Sequence, residues 1–273
     1  MFRVEKRQTA LTSAFTLLEL IFHATVRQVR KGHGNGLMAL LMAVLQTLIF
    51  VAAFYLLFAL LGLRGAAIRG DFLLYLMSGI FLFLTHTKAM GAVAGSEGPA
   101  SPMMKHAPMN TAVAICASAL SALYLQVLSA AIVLYGVHVI WQPVVIANPI
   151  GAGLMFLLAW FSGVAIGLVL LALKPWFPNF VGILSTVYAR ANMVFSGKMF
   201  VANSLPGFML PFFTWNPLFH AIDQARDATF VNYNAHYTNW MYPLILSLIL
   251  ILVGLMGEFY TKRHTSASWY AGR

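Results

Sequence analysis

Charge is scarce in this chain. Of its 273 residues only 9% are Asp, Glu, Lys or Arg, while 60% are hydrophobic; a soluble domain carries about 25% charged residues. Too few polar side chains remain to cover a water-facing surface, which excludes an ordinary soluble protein. Acids are scarcer still, seven carboxylates against seventeen Lys and Arg, for a formal net charge of +10. That excess does not point to nucleic acid as a partner, because the basic residues gather at the ends of apolar blocks. The single cysteine, Cys116, excludes an internal disulfide and reads as a small core residue. A cleavable signal is not expected either: the apolar run 10–22 is interrupted by Glu19, then followed by Arg27, Arg30 and Lys31 without a small-residue cleavage pattern.

Catalytic motifs are missing as well. The string closest to a nucleotide-binding loop, Ser196-Gly197-Lys198-Met199, lacks the upstream glycine and has Met where Ser or Thr would hold magnesium. Nucleotide hydrolysis by this chain is therefore not expected. Eight histidines are scattered, most at expected membrane interfaces, and none pairs at metal-ligand spacing. No cofactor or metal is expected. Asp223 and Asp227, one helical turn apart around Arg226, read as an ion-paired cap on an external helix. A paired-carboxylate catalytic site is the alternative.

What the chain has instead is apolar blocks of helical length. A bilayer core needs roughly 20 apolar residues in helical form, and six stretches qualify: 37–63, 72–93, 111–137, 150–173, 179–201 and 240–260. Before them, Leu11, Phe15, Leu18, Phe22, Val26 and Val29 recur at spacings of three and four, with Glu19, His23, Arg27 and Arg30 between. This predicts an amphipathic helix over 10–31, lying in the membrane interface or packed on a partner protein. Residues 202–239 carry Pro206, Pro211 and Pro217 among aromatic residues. They are too broken for a plain span and too apolar for a free loop, so a re-entrant pair of short helices is expected. The fold class is thus an all-α integral membrane protein, one transmembrane domain over 1–273, with six spans, an interfacial helix and a re-entrant segment.

Basic residues set the expected orientation. With the N-terminus inside, twelve of seventeen Lys and Arg are cytoplasmic: Arg3, Lys6, Arg7, Arg27, Arg30, Lys31, Lys88, Lys105, Lys174, Lys262, Arg263 and Arg273. Arg64, Arg69 and Arg226 fall outside, and Arg190 and Lys198 within the fifth span. The opposite topology reverses the bias. Arg190 lies midway along its span, where an arginine costs at least about 2.5–3.5 kcal/mol. It should face an aqueous path or an internal partner. Phe50, Phe54, Tyr55, Phe58, Phe81, Phe83, Tyr188, Phe195 and Phe200 enrich the first, second and fifth spans. They read as lipid-facing packing, or, in part, as a wall along which a sugar could slide.

The order of motifs is similar to that of the membrane subunit of type-2 ABC exporters, in particular permeases for capsular polysaccharide or O-antigen. The resemblance rests on four places. Arg27-Gln28-Val29-Arg30-Lys31-Gly32 runs into Gly36-Leu37-Met38-Ala39 like the basic interfacial helix and first span. The loop 94–110, with Lys105-His106-Ala107-Pro108, looks like the loop that docks on the ATPase. Ala189-Arg190-Ala191-Asn192 through Phe200 resembles the end of the fifth span. Ser204-Leu205-Pro206, then Trp215-Asn216-Pro217-Leu218-Phe219-His220, then Ala225-Arg226-Asp227 resembles the re-entrant segment. The loop 94–110 is richer in Gly, Ala and Met than the resemblance leads one to expect.

The resemblance implies a homodimer bound to two copies of a separate ATPase, in a bacterial inner membrane with both termini cytoplasmic, exporting a lipid-linked polysaccharide among membrane lipids. It implies a substrate path bordered by Arg190, Tyr188, Phe195, Phe54, Tyr55 and Phe58. Coupling to the ATPase would fall to Arg27, Arg30, Lys31, Glu97, Lys105 and His106. The outer gate would be formed by Pro206, Trp215, Asn216, Pro217 and His220. Two rivals stand beside this reading: export of another lipid or polymer, and a membrane-embedded glycan-modifying enzyme built on His220 and Asp223.

Overall fold

Six asparagine or aspartate residues mark where helices begin. Asn35, Asp71, Asn110, Asn148, Asn216 and Asn239 each accept a hydrogen bond from a backbone N–H two or three residues on, at 2.8–3.1 Å. The first N–H groups of a helix have no partner within it, and in or near lipid there is little water to serve them. Prolines at the first turn, at Pro149, Pro178, Pro211 and Pro217, remove one such donor outright.

The computed structural model describes residues 10–32, 34–62, 68, 70–98 and 110–264. Within these, the chain is helical and without strands: α1 (Ala10–Lys31), α2 (Gly36–Leu60), α3 (Phe72–Ala94), α4 (Thr111–Ile140), α5 (Pro149–Leu173), α6 (Pro178–Phe195), the single turn α7 (Pro211–Thr214), α8 (Pro217–Thr229) and α9 (Met241–His264). Arg64, Arg69, Lys105 and His106 lie outside the described residues.

Five helices, α2, α3, α4, α5 and α9, are long and apolar enough to cross a bilayer. The described residues are all helical in their regular structure, and the chain reads as a multi-pass membrane protein. The stretch read as a fifth span, 179–201, does not join them. Its helix, α6, has 18 residues and carries Ser185, Thr186, Arg190 and Asn192 among its apolar ones. The chain then turns at Gly197, whose φ of +71° suits glycine and whose missing Cβ leaves room for the Phe219 ring. Elsewhere the boundaries move by four residues or fewer. The 30-residue α4 is about 45 Å long, more than the hydrocarbon thickness, and must tilt or project.

At the centre is α3, with 78% of its most apolar window buried, against 17–22% for α2, α4 and α9. It packs most extensively on α5, which in turn packs on α9, while α8 lies against both α3 and α5. Small residues permit the closeness. A Cβ at Gly163 of α5 would sit 2.3 Å from the His86 carbonyl oxygen of α3, and one at Gly167 would sit 2.6 Å from that of Met90. At Gly254 of α9 a Cβ would lie 2.7 Å from Leu168 Cγ. Without a hydrophobic drive between helices in lipid, such backbone contact supplies the packing attraction. The helix α1 rests on α4 of its own chain and leaves Phe15, Leu18 and Phe22 exposed.

Candidate functional site

The helix α6 stands off this block. Only Val181 and Asn192 of its 18 residues are buried. Val181 packs with Met90 and Leu170. Met193 packs on the core around α3 and Phe195 on Phe213, and the remaining attachments are polar. Tyr188 Oη lies 3.0 Å from His86 Nε2, and His86 Nδ1 lies 2.9 Å from Ser162 Oγ and 3.1 Å from the Ala159 carbonyl. His86 thus ties α3, α5 and α6 together and is fully buried. That differs from the interface position expected for most of the histidines, because here two neighbouring helices, α5 and α6, supply partners for both ring nitrogens.

Standing off leaves a groove between α6 and α3, a cavity of about 620 Å³. Arg190, Ser185, Thr186 and Ala189 line it from α6, and Phe83, Leu84, Thr87 and Met90 from α3, with Gln46 and Phe50 of α2. Arg190 is exposed, and no ion pair to it exists among the described residues. Lys174, also lining the groove, donates to the Ala94 carbonyl at the end of α3, 3.3 Å. Gln46 and Phe50 also line a second cavity of about 550 Å³, which contains Lys88, Gln28 and Gln126. No carboxylate lines either cavity.

Beyond α6 the chain forms a buried polar knot. Arg226 of α8 is completely buried. Its Nη1 donates to the carbonyls of Gly197 (2.8 Å) and Phe200, and its Nη2 to that of Lys198 (2.6 Å). The guanidinium also stacks 4.2 Å from the Tyr75 ring. The planar fork of arginine is what allows it to hold several carbonyls of one turn. Lys198 points the other way. Its side chain is 2% exposed, and its ammonium lies 3.7 Å from the Phe83 ring centre and 4.7 Å from that of Phe54, with Phe50 at 5.8 Å. It makes no hydrogen bond among the described residues.

The carboxylates near this knot are occupied. Asp223 accepts from the Tyr233 hydroxyl (2.6 Å), the Thr238 hydroxyl (2.8 Å) and the Ala202 N–H (3.2 Å). Burial, and then the Asp223 charge, push the Tyr233 phenol well above its ordinary pKa. Asp227 accepts from the Ala235 N–H at 3.1 Å. The ion-paired cap expected around Arg226 does not form: the arginine spends its fork on carbonyls, and α8 is buried rather than external. His220 accepts from the Asn239 N–H at Nδ1 (3.0 Å), so Nε2 carries the proton and donates to the Thr214 carbonyl (2.8 Å).

Asn216 joins the knot to α6. Its amide nitrogen donates to Asn192 Oδ1 (2.8 Å) and the Phe195 carbonyl (3.0 Å), while its oxygen caps α8. Asn216→Ala is expected to cost roughly 2–4 kcal/mol, about 1 for the cap and the remainder for two buried acceptors left bare. Asn216→Asp keeps the cap but sets a buried carboxylate oxygen against the oxygens of Asn192 and Phe195, and should cost at least as much as alanine. Thermal unfolding in detergent reads this directly, and an aspartate variant as stable as the parent would mean that the link to Asn192 contributes nothing.

The residues read from the sequence thus separate into several places. Of those assigned to a path, Arg190 lines the groove. Phe54 packs on Lys198, Tyr55 and Phe58 pack on Phe72, Tyr188 is bound to His86, and Phe195 packs on Phe213 and Trp215. Of the coupling residues, Lys31 pairs with Glu97 at 3.7 Å, joining the end of α1 to the segment after α3; Arg27 and Arg30 are exposed beside it on α1. Of the gate residues, Asn216, Pro217 and His220 are buried together. The carbonyl of Trp215 accepts from the Tyr242 hydroxyl at 2.8 Å, while Pro206 sits in an exposed turn. Sequence reasoning missed His86 and the burial of Lys198. The Gly197-Lys198 pair was the available signal, a turn glycine beside a lysine within an aromatic-rich region.

No protein-family model matches the chain, and no curated protein matches it.

Proposed function

We propose that the chain is the permease subunit of an ATP-driven exporter of the type-2 ABC class, moving a lipid-linked polysaccharide of the capsule or O-antigen kind across a bacterial inner membrane. The order of motifs along the sequence supports this reading. The observation that carries it is the groove: a helix within the membrane domain that stands away from its neighbours and presents to a cavity an arginine with no ion-pair partner among the described residues. In lipid alone that arginine would cost at least about 2.5–3.5 kcal/mol. A second copy of the chain, closing over α6 and α2, would enclose it in an aqueous path, and this supports a homodimer. On this reading α6 is the sixth membrane-crossing element, α7 and α8 form a re-entrant segment, and both termini are cytoplasmic. The Lys31–Glu97 pair then joins the two places that would meet a separate ATPase.

His220 and Asp223, the pair that a membrane-embedded enzyme would use, are engaged with Thr214, Asn239, Tyr233 and Thr238. No observation favours that second reading.

The test is co-purification from the native host. The tagged chain should retain a nucleotide-binding subunit, and the pair in liposomes should hydrolyse ATP faster than that subunit alone. A chain that brings down no such subunit and stimulates no hydrolysis would end the export reading.

A further inference from the structure

The helices α1, α2 and α4 are joined at two places and part between them. At the turn after α1, a Cβ on Gly36 would stand 3.8 Å from Val29 Cγ1, so α1 and α2 are close there. Further along α2, the buried hydroxyls of Thr47 and Ser129 join it to α4 at 2.9 Å. Otherwise α1 packs on α4 and little on α2. The space left between the three is a cavity of about 800 Å³. Its inner wall is apolar, with Val26 and Val29 of α1, Leu40 of α2, and Leu123 and Leu128 of α4. Its rim, at Phe22, Leu37 and Val127, is apolar and exposed. On a membrane protein such a rim opens onto hydrocarbon. One charge lines the cavity, that of Arg30, and no carboxylate does. Arg30 has no ion pair among the described residues, because the acids near α1 are engaged, Glu19 with His23 and Glu97 with Lys31.

We propose that this cavity holds one anionic glycerophospholipid of the bilayer, with an acyl chain between α1, α2 and α4 and its phosphate on Arg30. Apolar space of this kind repels water, and a hydrocarbon chain from the surrounding lipid fills it. A phosphate oxygen pair matches the guanidinium fork. The Gly34 N–H donates to the Arg30 carbonyl at 2.9 Å, which folds the neighbouring Asn35 back onto the end of α1. Asn35 also lines the cavity; its side-chain oxygen caps α2 and its amide nitrogen remains as a second donor beside the arginine. A zwitterionic lipid would bring an ammonium for which the lining has no carboxylate, so the net-negative head group is favoured. The site does not depend on the export reading, since none of its residues lines the groove beside α6.

The test uses the purified full chain in detergent. Phosphatidylglycerol carrying a photoactivatable diazirine midway along one acyl chain should, on irradiation, label the peptides that contain Val26, Leu40 and Leu123. Native mass spectrometry should show dioleoyl phosphatidylglycerol retained over dioleoyl phosphatidylcholine by about fivefold, the effect of about one basic residue at an anionic surface. Arg30→Gln should bring that ratio near one, while Arg30→Lys, which keeps the charge, should hold the preference. Arg263→Gln removes an exposed cation of α9 and should leave the ratio unchanged, which separates the site from general attraction to a basic protein. Leu123→Trp fills the cavity and should remove the labelling; its thermal midpoint checks the fold, and Arg30→Gln carries the test if the tryptophan variant does not fold. Labelling spread evenly over the exposed faces of α2, α4 and α9 would reduce the lipid to an annular one and overturn the proposal. A ratio that survives Arg30→Gln, or is lost in Arg263→Gln, would also overturn it. Protection of the same peptides in a dimeric fraction that retains no lipid would assign the cavity to a second copy, and would overturn it too.

Discussion

A valine at position 163 is expected to leave almost no folded chain. The first atom beyond the glycine backbone would lie 2.3 Å from the His86 carbonyl oxygen, 3.0 Å from its carbon and 3.1 Å from its Cα. All three are backbone atoms of α3, so relief requires α3 and α5 to part. Parting them also breaks the bonds of His86 to Ala159 and Ser162. Overpacking costs about 1–3 kcal/mol, and each buried hydrogen bond lost adds about 1. The sum, on the order of 3–5 kcal/mol, is a large share of the 5–15 kcal/mol that typically separates folded from unfolded. Gly153, on the same helix, has open space where a Cβ would stand, with nothing within 4 Å, so Gly153→Val should behave as the parent. Size-exclusion profiles of the fluorescently tagged variants decide the matter. A monodisperse Gly163→Val peak with the parent's thermal midpoint would show that α3 and α5 are not in backbone contact.

The second large effect belongs to Arg226. Replacement by leucine removes a donor to three carbonyls in a buried turn and leaves them without a partner. Hydrogen bonds from a charged donor contribute about 1.5–3 kcal/mol each, and such losses are not additive. A total of about 3–5 kcal/mol is expected. Lysine should rescue little of it, since one ammonium cannot span the carbonyls of Gly197, Lys198 and Phe200 or stack flat on Tyr75. Thermal midpoints of Arg226→Leu and Arg226→Lys in detergent measure both statements. A lysine variant matching the parent would reduce Arg226 to a generic buried charge.

The membrane-crossing helices were legible in the sequence because their signal is local: long apolar blocks, each opened by an Asn or Asp. Asn216-Pro217 also announced the start of α8. The character of α6 was partly legible, for Arg190 stood out by its depth. What the sequence hid depends on pairs of helices. Nothing near His86 reveals that Ser162 and Tyr188 will close on it. Arg226 between two aspartates looks like an exposed ion pair, and only the turn at Gly197, brought in from another element, makes it a buried clamp. Phe50, Phe54 and Phe83 read as lipid-facing rings until the turn after α6 sets Lys198 among them.

The burial of α3 has a consequence for biosynthesis. Its mean hydropathy, 1.4, is the lowest of the five apolar helices, the others lying between 1.9 and 2.5. Yet it is the one most enclosed by protein. The partners that accept His86 at its Nδ1 lie 73 and 76 residues further along the chain. At a ribosomal rate of about 5–20 residues per second, they emerge roughly 4–15 s later. For that interval α3 leaves the translocon as its least willing lodger, with the imidazole unmatched. A helix so placed needs a temporary host, either the insertion machinery or α2 and α4 on either side, until α5 arrives to receive it.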